Sequence, residues 1–206
     1  MKALLIVDIQ NDFLPGGALA VPAGDEIIET VNALQACFPL VVATQDWHPA
    51  GHGSFASAHE GKNAFETTML GSLEQVLWPD HCVQSTKGAG LTESLSQNAI
   101  EAIFRKGTDP GIDSYSGFFD NEKLKDTGLG AYLKGRNVTQ VFIAGLAGDF
   151  CVAYTALDAL ELGFRTYVFE DATRPIDPVG FEKMKMAITE KGGKMIHSAA
   201  ILQACK

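Results

Sequence analysis

The 206-residue chain has no apolar run long enough to cross a bilayer: the N-terminal one, Ala3 to Val7, follows a single Lys and stops at Asp8. Such a run is also too short for the core of an export signal, so the expected location is the cytoplasm. Basic residues are few, 16 Lys and Arg against 25 Asp and Glu, and they form no dense cluster. A net charge of −9 repels phosphate backbones and anionic lipid, which excludes nucleic acid and membrane surfaces as partners and leaves a small neutral molecule as the better ligand. Cysteine is scarce too. Cys37, Cys82, Cys151 and Cys205 lie far apart with no C-x-x-C pair, and are expected as reduced thiols rather than a disulfide framework. No internal repeat or low-complexity tract is present.

What is there is one core's worth of apolar sequence. At 46% hydrophobic the chain suits a single domain over residues 1–206. Leu4 to Val7, Leu40 to Ala43, Ala99 to Phe104, Val138 to Ile143 and Thr166 to Phe169 are short apolar runs that fit strands buried on both faces, and Lys194 to His197 adds a last strand. Between them, Gly24 to Phe38 (stopped by Pro39), Cys151 to Leu162 (stopped by Gly163) and Pro178 to Lys191 carry helical spacing. This alternation predicts an α/β fold, a three-layer α/β/α arrangement around a mainly parallel sheet, with ligands bound beyond the carboxyl ends of the strands. One stretch breaks the pattern. From about 46 to 98 no long strand is apparent, and Trp47, Phe55, Phe65, Met69, Leu73, Val76 and Trp78 anchor an ordered excursion in which a short helix is expected near Glu66 to Leu77.

The most informative segment is Gly145 to Val152, where a buried strand hands over to a helix at Cys151. A helix N-terminus favours a thiolate, and Gly145 and Gly148 keep the surroundings open for backbone N–H groups to reach a reacting carbonyl. The same residues also fit a small apolar packing position. Asp8 and Lys106 end two other strands; if these strands are parallel neighbours, an acid, a cation and a thiol converge into a nucleophilic kit. Asp46 and His48 follow the second strand, with His52 nearby and His81 further on, a donor set that suits Zn²⁺, Fe²⁺ or Mn²⁺ but equally describes solvated loop histidines. His197 reads as structural, and Asp149 as the cap of the helix that Cys151 begins.

Six segments together resemble the isochorismatase-like cysteine hydrolases and, within them, the nicotinamidases. They are Val7-Asp8-Ile9-Gln10-Asn11-Asp12-Phe13, Thr44-Gln45-Asp46-Trp47-His48-Pro49, Trp78-Pro79-Asp80-His81-Cys82-Val83, Phe104-Arg105-Lys106-Gly107, Asp113 to Phe118, and Gly145 to Val152. The resemblance implies an Asp8, Lys106 and Cys151 triad, one divalent ion on Asp46, His48 and His81 with Zn²⁺ first and Fe²⁺ or Mn²⁺ as alternatives, and an oxyanion hole from the Ala147 and Cys151 amides. It further implies Phe13 and Trp78 around a pyridine ring, Tyr115 close by, and a cis Leu146-Ala147 bond. His52 and Ser54 are left outside the ligand set. Gly148 stands where relatives often carry Thr. The implied activity is hydrolysis of nicotinamide, with pyrazinamide-like analogues as further substrates, in a protein that is also a candidate homo-oligomer. Two rivals remain: an amidohydrolase for another amide or carbamoyl compound, and a non-catalytic binding protein on the same fold.

Overall fold

A computed structural model describes residues 1–205. Six parallel strands form the central sheet: β1 (Lys2–Val7), β2 (Val41–Asp46), β5 (Ile100–Lys106), β6 (Gln140–Leu146), β7 (Arg165–Arg174) and β8 (Lys194–Ile196), in the order β5-β2-β1-β6-β7-β8. The chain winds outward from β1 to one side and from β6 to the other. The strand order therefore reverses between β1 and β6, the place where open α/β sheets form a ligand crevice.

Two apolar layers cover the sheet. Leu4, Ile6, Val41 and Phe142 pack on one face with Val31 and Leu34 of α1 (Ile28–Gln35). Leu5, Val7, Val42 and Ile143 pack on the other with α2 (Leu129–Gly135), α3 (Ala153–Glu161) and Ile188 of α4 (Pro178–Glu190). Alternate residues of β1 thus serve opposite layers, which is why its sequence reads as continuously apolar. Gly145 has a structural necessity of its own: at φ 132° it lies so close to the backbone of Val7 that a Cβ would collide with it.

Several expectations need correction. Residues 66–77 form an antiparallel hairpin, β3 (Thr67–Leu70) and β4 (Leu73–Val76), not a helix. The β-branched pair Thr67-Thr68 and a two-residue Gly71-Ser72 turn, with Gly71 at φ 63°, decide the matter. The strand β5 is at the sheet edge and alternates between exposed and covered residues, so it is not buried on both faces. Helix α2 and a short C-terminal α5 (Ala199–Leu202) were not legible from periodicity. The predicted 24–38 helix splits into a tight turn, Gly24–Ile27, followed by α1. Cysteine usage also differs: Cys37, just past α1, is joined to Cys205 by a disulfide, leaving Cys82 and Cys151 as free, buried thiols. A separation of 168 residues gives no hint of that pairing in sequence; the fold brings α1 and the C-terminus together.

Candidate active site

Four strand ends build the site. Asp8 follows β1, Asp46 and Lys106 close β2 and β5 as register partners, and Cys151 lies in the wide π-type turn, Gly148–Val152, that links β6 to α3. The left-handed conformation at Asp8, φ 49°, is one that a short polar side chain tolerates.

Lys106 is the hub. Its side chain is fully buried, and Nζ sits 2.5 Å from Asp46 Oδ1, 2.9 Å from Asp8 Oδ2, 2.9 Å from the Ser114 carbonyl and 3.3 Å from Cys151 Sγ. Burial disfavours its charge, but the two carboxylates outweigh that and hold its pKa well above the ordinary lysine value. The three ligand-type atoms of Asp8, Asp46 and Cys151 lie within 4.8 Å of one another. Asp8 is pushed up by burial, against the opposing pull of Lys106, while Thr44 Oγ1 donates to its Oδ1 at 2.7 Å. The thiol departs from the expected low pKa. Burial and the neighbouring carboxylates raise Cys151 well above the usual value despite Lys106, which favours the protonated thiol beside a carboxyl of raised pKa. Proton transfer at the moment of attack, rather than a standing thiolate, suits this arrangement.

Asp46 faces two ways. Its Oδ2 lies 3.6 Å from His48 Nε2 and 3.9 Å from His81 Nε2. The other ring nitrogens face carbonyl oxygens, His48 Nδ1 at 2.9 Å from Gly107 and His81 Nδ1 at 2.8 Å from Pro79. A carbonyl only accepts, so Nδ1 carries a proton in each ring and both Nε2 atoms turn toward Asp46, each with a lone pair to offer when its ring is neutral. Burial and the charge of His48 press the His81 pKa to about 4, while burial of His48 is overcome by the Asp46 carboxylate, which raises it. A buried carboxylate and two imidazole lone pairs, oriented by backbone carbonyls, fit a divalent metal ion. His52 is not one of that trio, but it forms a second donor group with His48 and Asp113, whose ligand-type atoms lie within 4.8 Å of one another. Its Nδ1 accepts from the Ser54 amide at 3.1 Å, its buried Nε2 has no hydrogen-bond partner among the described residues, and its ring packs on His48 at 4.5 Å.

The remaining predicted residues line one cleft of about 330 Å³. Phe13, Trp78, Tyr115 and Ala147 are there with Asp46, His48, His81 and Cys151, together with Leu19, Asp113, Phe150 and Ile176, which sequence reasoning gave no role. Trp78 meets Phe150 edge-on at 4.9 Å. A cavity of similar size beside Arg105, Thr108 and Lys125 touches Lys106 but neither the thiol nor the histidines. The Leu146-Ala147 bond is cis, as expected. Asp149 is not the helix cap: its oxygens accept from the Ile176 and Asp177 amides at 2.9 and 2.8 Å, tying the turn to the segment after β7. His197 is exposed, 3.9 Å from Asp171. At Gly148, a Cβ would stand 2.9 Å from Thr173 Cγ2 and 3.1 Å from Phe181, so these side chains fill the space a larger residue would need.

One positioning residue was visible in the motifs but unassigned. Gln10, completely buried, takes the Asp46 N–H on Oε1 at 2.8 Å and donates from Nε2 to the Asp46 and Ala89 carbonyls at 2.8 and 2.9 Å. Its carboxamide clamps the Asp46 backbone, and the Asp-x-Gln spacing after a strand was its signal.

Comparison with known proteins agrees with this geometry. The family model described as the isochorismatase domain matches residues 2–200. The nicotinamidase of Escherichia coli strain K12 is 48% identical over 180 residues, covering 85% of this chain and 84% of that protein. Among solved structures, a nicotinamidase and pyrazinamidase from Acinetobacter baumanii superposes with a TM-score of 0.95 at 47% identity, covering 97% of both chains. The pyrazinamidase of Pyrococcus horikoshii in complex with zinc does so with a TM-score of 0.78 at 39% identity, covering 95% of this chain and 98% of that one.

Proposed function

The chain belongs to the isochorismatase family, and from that premise we propose that it hydrolyses nicotinamide to nicotinate and ammonia through a cysteine thioester, as in NAD salvage. The observation that carries the reading is the contact of Lys106 Nζ with Asp8, Asp46 and Cys151 at the floor of an aromatic-walled cleft that also holds the Asp46, His48 and His81 donor set.

Asp8 takes the Cys151 proton as Sγ attacks the amide carbon, and Lys106 stabilises the sulfur's developing charge. The Ala147 and Cys151 N–H groups hold the oxyanion. Protonated Asp8 then gives its proton to the leaving nitrogen, the C–N bond breaks, and ammonia departs from a thioester. A water molecule deprotonated by Asp8 attacks that thioester; nicotinate is released and Cys151 regains its proton. Phe13, Trp78 and Tyr115 hold the ring and keep water from its faces. A divalent ion on Asp46, His48 and His81 supplies a Lewis acid for a ring nitrogen. We take Zn²⁺ as that ion, the metal in the Pyrococcus horikoshii complex, with Fe²⁺ and Mn²⁺ suited to the same donors. Pyrazinamide-like amides, which keep a ring nitrogen, belong to the same substrate class.

Ammonia release from nicotinamide, measured with the metal-loaded protein and after chelation, tests the reading. Turnover that falls on chelation and returns with Zn²⁺ is the expected result. No release from the loaded protein, or release indifferent to the chelator, would refute the assignment.

A further inference from the structure

We infer that Gln75, on the β3–β4 hairpin outside the cleft, is a positioning residue that fixes the tyrosine end of the cleft wall, an inference that rests on the amidase reading above. The hairpin is otherwise well exposed, with Met69 at 64% and Leu73 at 40%, whereas Gln75 is only 4% exposed. Its Nε2 lies 2.8 Å from Tyr115 Oη, 2.9 Å from Asp113 Oδ2 and 2.7 Å from the Val76 carbonyl. Asn121 Nδ2 donates to Gln75 Oε1 at 3.4 Å, and Asn121 Oδ1 in turn takes the Tyr115 N–H at 3.0 Å.

Both Asp113 and Tyr115 line the cleft, and the tyrosine ring meets Trp78 and Phe150 at 6.3 and 5.3 Å. From Asp113 the connection continues inward: Oδ1 accepts the Ser114 N–H at 2.8 Å, and the Ser114 carbonyl accepts from Lys106. Bulk alone does not account for a buried glutamine here, because an apolar side chain fills space without needing partners. Only a donor serves a carboxylate and a phenol oxygen at once. A carboxylate at the same position would face Asp113 with like charge, and a hydrocarbon would leave Asp113 and Tyr115 each short of a donor.

Gln75→Met and Gln75→Glu both preserve side-chain length while removing the amide donor. In steady-state assays of ammonia release by the metal-loaded enzyme, each is expected to raise KM for nicotinamide about tenfold while kcat changes less than about threefold, the signature of a misplaced binding wall. In a Cys151→Ala background, the nicotinamide Kd read from tryptophan quenching should rise by the same factor. Ser72→Ala loosens the same hairpin by removing a hydroxyl that donates to Glu122 at 2.8 Å, and should leave KM alone. The inference is overturned if KM and Kd stay within about twofold of the parent in both Gln75 variants, whatever their melting temperatures, or if Ser72→Ala raises KM equally. A parent that binds nicotinamide but releases no ammonia would sink the amidase reading and leave Gln75 to be judged on the binding constants. Absence of binding would overturn both.

Discussion

Replacing Lys106 by Met is the sharpest perturbation of this site, because one side chain answers two buried carboxylates. Asp8 is completely buried and Asp46 nearly so, and Lys106 Nζ lies within 2.9 Å of both. Met keeps the length and loses the charge. Breaking a buried ion pair from one side costs about 3–5 kcal/mol, since the remaining charge is left unpaired in a medium that salt hardly screens. For a chain of this size that corresponds to a fall in Tm of about 6–20 °C. The loss should depend on pH in a defined direction. In the parent, Lys106 and the histidines hold Asp46 below the usual carboxyl pKa against burial, so its contribution is full above the unfolded value, about 3.9, and is lost as pH falls through the acid range. Asp8 is already raised by burial. Without the lysine both folded carboxyls rise above the unfolded value, the folded variant binds more protons than the unfolded chain, and its unfolding free energy increases as pH falls from 8 to 5. Urea unfolding of chelated parent and variant, followed by circular dichroism at pH 8 and pH 5, measures the gap directly. It should be widest at pH 8. A gap of equal size at both pH values, or one below about 1 kcal/mol throughout, refutes the view that Lys106 balances two ionised groups.

Three further outcomes are expected. Cys151→Ala should abolish ammonia release from nicotinamide while melting within a few degrees of the parent and still binding the amide; turnover near the parent rate by the folded variant would remove Cys151 as nucleophile. Gln10→Ala frees the Asp46 backbone from its clamp and should weaken Zn²⁺ binding by about 10–100-fold in chelator competition, and an unchanged affinity would show that Asp46 is held by its strand alone. Benzamide has the carboxamide and ring of nicotinamide but no ring nitrogen, so kcat/KM should favour nicotinamide by at least about a hundredfold in the loaded enzyme; comparable values would deny the donor set an anchoring role.

Much of this site was written into the order of the sequence. Apolar strands that end on Asp8, Asp46 and Lys106 are legible because parallel strands align their carboxyl ends, and the register pairing of Asp46 with Lys106 follows from adjacency. The hairpin at 67–76 stands where a short helix is expected because Met69, Leu73 and Val76 alone do not fix a period, whereas the Gly71-Ser72 turn between them does. The raised pKa of the Cys151 thiol is hidden from the sequence for a different reason. Its position at a helix start is local information, whereas its burial against two carboxylates depends on three other strands. Gln10, Thr44 and Gln75 lie outside the roles read from the sequence for a related cause: a glutamine or threonine shows its function only through the atoms it reaches, and the contacts of Gln10 with Asp46, of Thr44 with Asp8, and of Gln75 with Asp113, Tyr115 and Asn121 span 36 to 46 residues.

The two oxygens of Asp46, one on Lys106 and the other toward His48 and His81, tie separate tasks to a single residue. Such sharing restricts how the sequence can drift. Either histidine can be exchanged at the expense of the donor set alone, and the nucleophile keeps its lysine. Asp46 has no comparable freedom, because Asn or Ala there strips a ligand from one task and a counter-charge from the other in the same step. A lineage that gave up the metal by this route would leave Lys106 with Asp8 as its one carboxylate partner among the described residues, so this aspartate should change less freely than either histidine.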